Sequence, residues 1–334
     1  MDPETSNPEP HKAASKTSET GSWRQRLRPG RLLRWALCFL LLYFIFVNWN
    51  DDIDVHDLAL RYGFPDSQFM ELGDMTVHYR ISGKGEPIVL LHDEQSSLHT
   101  WAAWTDSLSG KYQVISLDLP GYGLTGPHPK GSYSTFMYVS FFEQFVKKLN
   151  LRRFHLAGNG LGAQIAWFYA AEHPDQLRKL ILLDAPGFEN KPTPWLYYLA
   201  RTPVLNRALW RITPKPYIKL MLEEVYAEDQ KVKNALVQRH FEMLMRPGNR
   251  KAFTDRAQVR ENRPPADLIE KIRIPTLILW GAEDTRLSPE NAYEFHRRIR
   301  RSALKIYQNA GHWPQEESAG ASAVDVRLFL EGRF

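Results

Sequence analysis

The sequence predicts an α/β domain built on a mostly parallel, twisted sheet covered by helices. Three observations carry this. From about residue 65, short β-type apolar runs alternate with amphipathic stretches, and strands separated by helices must return to the sheet in parallel. Within "FHLAGNGLGAQIAW" (154–167) an apolar strand passes through a Gly-Asn-Gly turn directly into a helix. One interval, about 186–264, is rich in Trp, Tyr, Leu and Met without a strand-like run, and reads as a helical cap inserted between two strands.

Each element follows from its local pattern. "QFMELGDMTVHYRISG" (68–83) reads as a hairpin, and "PIVLLH" (87–92) as a buried strand. "YQVISLDL", "RFHLAG", "LRKLILLD", "PTLILWG" and "ALKIYQ" supply five further strands. The α/β domain is thus expected over residues 65–334.

Ahead of it, residues 1–22 are rich in Pro, Ser, Thr and Glu with no apolar periodicity, too little buried surface to offset ordering entropy. The expectation is a disordered, basic tail over 1–31. Leu32 to Trp49 is apolar except for Arg34 and Asn48, and reaches roughly 27 Å as a helix, enough for a short membrane span if Arg34 snorkels. No small-x-small cleavage site follows, and a buried helix would not be apolar on every face. Residues 32–49 are therefore expected to be a transmembrane anchor in the lipid bilayer, with Trp35 and Trp49 at its borders. Arginines before the run and aspartates after it place the N-terminus in the cytoplasm and the larger domain on the non-cytoplasmic side.

Composition narrows the function. The formal charge of +5 is concentrated near the N-terminus, so it argues for no nucleic-acid partner. A single cysteine, Cys38, excludes an internal disulfide and any cysteine cluster for metal.

Five motifs then fall in order: "LLHDEQSSLHTW" (90–101), "DLPGYGLT" (118–125), "GNGLGA" (158–163), "LILWGAEDTRLSP" (277–289) and "AGHWPQEE" (310–317). Together they resemble the α/β-hydrolase superfamily, in the capped branch of epoxide hydrolases, haloalkane dehalogenases and carbon–carbon bond hydrolases, over roughly residues 67–334. The resemblance implies an α/β-hydrolase fold with Asp284 as the acid and His312 as the base. It also implies His92, Asp93 and Leu161 at the oxyanion and binding positions, and no cofactor or metal. The chemistry agrees: a nucleophilic hydroxyl needs an imidazole to take its proton, and the imidazole needs a carboxylate to fix its tautomer.

Two positions depart from that family. The elbow residue is Gly160, which has no hydroxyl, and the loop that in the family reads His-Gly reads His92-Asp93, placing a negative charge where an oxyanion would form. The resulting expectation is a catalytically impaired hydrolase homologue that binds a small hydrophobic ligand. The alternative is an active hydrolase of ester, epoxide or diketone substrates in which His312 and Asp284 activate water directly. Asp93 as a substitute carboxylate nucleophile is set aside, because it belongs to the oxyanion side. A separate rival is dinucleotide binding, since Gly158-x-Gly160-x-x-Ala163 opens a helix after a strand and Asp184 ends the next one. Trp195, Tyr197, Tyr198, Trp210, Tyr217 and Tyr226 suggest an apolar lining for the cap.

Overall fold

The structure, a computed structural model, describes residues 29–188, 195–259 and 264–334. The expected disordered tail, up to residue 28, lies outside the described residues, as do the side chains of Trp195 and Tyr197. The chain divides into two units, Met1–Val47 and Asn48–Phe334.

In the first unit, helix α1 runs over Pro29–Val47. Leu40, Leu41, Leu42 and Tyr43 are consecutive, so they point to all sides of the helix, and each is more than half exposed. Among the described residues no helix is long and apolar enough to cross a membrane. Leu32 to Val47 alone reaches about 24 Å, short of the ~30 Å hydrocarbon core. The fold therefore does not establish the span expected over 32–49.

The second unit opens with helix α2 (Val55–Tyr62), capped by Asp54, whose carboxylate accepts from the His56 N–H at 2.8 Å. An eight-stranded sheet follows: β1 (Ser67–Leu72), β2 (Met75–Ser82), β3 (Glu86–Leu91), β4 (Tyr112–Leu117), β5 (Phe154–Asn159), β6 (Leu177–Leu183), β7 (Thr276–Gly281) and β8 (Ser302–Tyr307), in the order β1-β2-β4-β3-β5-β6-β7-β8. The β1–β2 hairpin is antiparallel and pairs antiparallel with β4; from β4 to β8 all pairing is parallel. The hairpin and the six further strands lie where the apolar runs place them.

Strand periodicity of two builds both cores. Val89 and Leu91 of β3 enter the core on one face with Tyr138, Phe142 and Phe145 of α4 (Thr135–Lys148) and Ile165, Trp167 and Tyr169 of α5 (Leu161–Glu172). Ile88 and Leu90 point the other way, into a core closed by Trp104 of α3 (Ala102–Leu108) and by Val326 and Phe329 near the C-terminus. Burial on both faces explains why these strands read as continuous apolar runs.

Between β6 and β7 the described residues form five α-helices and no strand: α6 (Trp195–Arg201), α7 (Leu205–Ala208), α8 (Lys215–Glu223), α9 (Asn234–Leu244) and α10 (Asn249–Gln258). Ile218, Met221, Leu222, Tyr226 and Val237 form a small core of their own that closes on Trp313. Of the insertion's aromatics, Tyr226 packs in this core and Tyr217 against it, Trp210 donates to Thr254 Oγ1 at 2.9 Å, and Tyr198 is exposed. These four are mainly structural or solvent-facing.

Candidate active site

The site lies at the C-terminal ends of β3, β5, β6, β7 and β8, where open parallel sheets gather their loops. At the end of β5 the chain turns at Gly160, with φ 51° and ψ −117°, and begins α5 at Leu161. The turn needs small residues by contact as well as conformation: a Cβ at Gly158 would lie 2.2 Å from the Gly162 carbonyl oxygen, and one at Gly162 would lie 2.1 Å from that of Leu91.

Asp284 follows β7, and His312 lies in the loop after β8. Asp284 Oδ1 accepts from the backbone N–H groups of Arg286 and Leu287 at 2.7 and 3.0 Å, leaving Oδ2 2.8 Å from His312 Nδ1. His312 is further anchored by its N–H to the Val225 carbonyl at 2.8 Å, which ties the imidazole to the helical insertion. Its own carbonyl accepts from Asn159 Nδ2 at 3.0 Å, and Gln315 Nε2 in turn donates to Asn159 Oδ1 at 3.1 Å.

On the opposite edge of the imidazole stands Asp93. Its Oδ2 lies 3.2 Å from His312 Nε2 and accepts from Trp313 Nε1 at 3.3 Å, while Oδ1 accepts the Leu161 N–H at 2.9 Å. A Cβ built on Gly160 would be 1.8 Å from Asp93 Oδ1 and 2.2 Å from Cγ. The Asp93 carboxylate therefore overlaps the space a side chain at 160 would enter. This corrects the expectation that Asp93 sits to one side of the site. The absence of a Cβ at 160 is what admits the carboxylate, and the first amide of α5, at the positive end of the helix dipole, stabilises it.

Charge follows from this geometry. Burial opposes ionisation of His312, but Asp284 and then Asp93 outweigh it and hold the imidazole well above its ordinary value. Burial likewise opposes the charge on Asp93, yet the His312 imidazolium brings its carboxyl down to about 2. A third carboxyl, Asp184 at the end of β6, has φ 43° and is fully buried, its Oδ1 accepting from Gly281 N–H at 3.1 Å. Burial, and then the adjacent Asp284, push it well above the usual carboxylate range, which favours the neutral acid. Donor atoms of Asp184, Asp284 and His312 come within 4.8 Å of one another. A metal there would have to displace the Asp284–His312 hydrogen bond.

His92 is spent on the backbone. It accepts from the Leu119 N–H at Nε2 (2.9 Å), which leaves Nδ1–H to donate to its neighbour's carbonyl, Asp93 O, at 2.7 Å; burial lowers its pKa and keeps it neutral. It positions the 92–93 loop instead of facing a ligand, which corrects its placement among the binding residues. Asp118 similarly organises the neighbouring turn: its carboxylate takes the N–H groups of Leu98 and Leu124 and pairs with His78 at 2.7 Å. Dinucleotide binding is not supported, because Asp184 is sealed beside Asp284 and the N–H that opens α5 is already taken by Asp93.

Sequence reasoning missed two contributors. Trp313 was legible only as the neighbour of His312, and nothing in its local pattern indicates a hydrogen bond to Asp93. Asp184 reads in the sequence only as the acidic residue of a dinucleotide site, with no sign that it faces Asp284.

The sequence profile of the alpha/beta hydrolase fold family matches residues 86–319, spanning every strand from β3 to β8 and all five motifs. The chain belongs to the alpha/beta hydrolase family. This hydrolase-family chain is 28% identical to a 2-hydroxy-6-oxo-2,4-heptadienoate hydrolase of Pseudomonas putida, over 70% of its own length and 85% of the relative's. It is 25% identical to Lipase 3 of a Moraxella species, covering 74% of this chain and 78% of that one. Among solved structures, a membrane phospholipase A described as a bacterial virulence factor superposes with a TM-score of 0.69 at 25% identity, covering 91% of this chain and 97% of the other.

Proposed function

We propose that this alpha/beta hydrolase-family chain has lost serine-type acyl transfer and acts as a membrane-attached protein binding a small hydrophobic ligand under its helical insertion. One observation carries the reading: the Asp93 carboxylate fills the place of the missing side chain at Gly160 and occupies the Leu161 N–H. No hydroxyl is present at position 160 to be acylated, and the amide that would stabilise an oxyanion already holds an anion. Asp93 Oδ2 in turn has two donors, so the carboxylate is a satisfied occupant of the site.

Direct water activation by His312 and Asp284 is less well supported. A general base must be unprotonated at the working pH, whereas Asp284 and Asp93 both favour the protonated imidazole and raise the pKa of His312. The hydrophobic ligand is argued from two relatives, named as a lipase and a phospholipase A. Membrane attachment rests on the all-round apolar exposure of α1 and its arginine-rich flank, with the larger unit on the non-cytoplasmic side.

The test is labelling with a fluorophosphonate probe alongside turnover of ester, epoxide and diketone substrates. Wild type stays unlabelled and silent while isothermal titration detects a medium-chain fatty acid. Labelling of any serine in the site, Ser96 and Ser97 included, refutes the proposal. Reporter fusions at Phe334 that are active only in the cytoplasm refute the topology.

A further inference from the structure

We propose that Arg201–Leu220, the outer segment of the helical insertion, is a docking face for an anionic lipid bilayer surface. The inference deepens the membrane attachment just proposed and rests on it.

Charge is the first observation. From Trp195 to Leu222 the chain carries Arg201, Arg207, Arg211, Lys215 and Lys219 and not one Asp or Glu. All five are exposed. Arg211 meets Asp51 at 3.6 Å and Lys219 meets Glu223 at 2.6 Å, while Arg201, Arg207 and Lys215 pair with no carboxylate among the described residues. Apolar exposure is the second. Val204 and Leu205, between Arg201 and Arg207, and Leu220, next to Lys219, are 75%, 46% and 59% exposed. Val204 holds φ 74°, a conformation a β-branched residue rarely adopts, at a position where burial within the chain offers nothing in return. Cations whose stems flank exposed apolar side chains suit the headgroup region, where the charges reach phosphates and the apolar groups enter the acyl boundary.

Chain connection is the third. Asn48 follows directly on Val47, the last residue of α1. Residues 48–50 are stitched to the basic segment by the Trp49–Ile212 antiparallel bridge, by Asn50 N–H to Arg211 O at 2.8 Å and by Thr213 N–H to Asn48 O at 3.0 Å. With α1 in lipid, the three residues after it reach at most about 10 Å, so Arg211 and its neighbours lie within headgroup range. Acidic residues near this junction are largely engaged: Asp51 by Arg211, Asp52 by Arg250 at 2.5 Å, and Asp54 at the start of α2. Asp54 and Asp57 remain exposed without a cation partner among the described residues, two negative charges against the three unpaired cations of the segment.

The experiment uses the full chain in flotation with neutral phosphatidylcholine vesicles and with vesicles containing phosphatidylglycerol, followed by hydrogen exchange of residues 201–220. Expected is flotation on both through α1, with exchange in 201–220 slowed only on the anionic vesicles and the slowing lost at high salt. Arg201→Glu/Arg207→Glu/Lys215→Glu should abolish the slowing and leave flotation on neutral vesicles intact. Each cation removed should weaken anionic preference about fivefold. Equal exchange on the two vesicle types overturns the proposal, as does slowing that survives the triple substitution. Failure to float on neutral vesicles instead refutes the attachment of α1. Slowing produced by an acidic protein surface and not by lipid would assign the face to a protein partner, and also overturns it.

Discussion

Restoring serine at position 160 is the perturbation that interrogates the site most directly. In Gly160→Ser the new Cβ would lie 1.8 Å from Asp93 Oδ1, far inside van der Waals contact, so the carboxylate must move by more than 1 Å. Moving it breaks the Leu161 N–H bond and loosens the His312 ion pair. Overpacking costs about 1–3 kcal/mol, and the positive-φ backbone adds a similar amount for a residue with a Cβ. Loss of a charge-assisted hydrogen bond adds about 1.5–3 kcal/mol. These overlap, because one displaced group pays for all of them, and a destabilisation of about 3 kcal/mol or more is expected. Asp93→Gly alone leaves His312 and the Leu161 N–H without their partner, and is also destabilising. In the double variant the overlap is gone, so the two changes should couple favourably by about 2 kcal/mol. Urea denaturation of the four proteins at equal m-value measures this coupling. The same proteins report the chemistry: fluorophosphonate labelling should be weak or absent in Gly160→Ser and rise in the double variant, where hydroxyl and free amide coexist. Stabilities additive within about 0.5 kcal/mol would refute the claim that residues 93 and 160 share one space.

Stability should depend on pH through the buried His312 cluster. His312 is raised in the folded state, so its contribution is fully present below its unfolded pKa, near 6.5, and is lost as pH rises through the folded value. Asp93 is lowered to about 2, so its contribution is present above its unfolded pKa and is lost as pH falls toward 2. Asp93→Asn should lower the His312 pKa, seen as an imidazole proton resonance that titrates earlier than in wild type. Asp184→Asn should change stability by less than about 1 kcal/mol at pH 7, since a neutral acid and an amide can make the same hydrogen bonds, whereas Asp184→Ala should cost about 1–3 kcal/mol; equal losses from both would show that Asp184 carries a charge. Gly162→Ala should destabilise strongly and show a lowered Tm, because its Cβ meets the Leu91 carbonyl oxygen at 2.1 Å and backbone has no room to yield.

Much of this protein was legible in the sequence because local pattern and fold agree. Strand runs such as "PIVLLH" and "PTLILWG" are apolar throughout since both sheet faces are covered, so they announce a parallel sheet before any contact is known. The glycines around position 160 announce a crossing too tight for side chains, and the loops after β7 and β8 place Asp284 and His312 near it by topology. What those residues do to one another was decided by tertiary structure alone. Residues 93 and 160 are far apart in the chain, and only packing of the β3 loop against the start of α5 shows that the carboxylate of one occupies the space left by the other. The same holds for Asp184, which ends an apolar strand and carries no local sign that it faces Asp284. Protonation of His312 is likewise no property of its own sequence, because it depends on two carboxylates that three-dimensional folding brings to opposite edges of one buried ring.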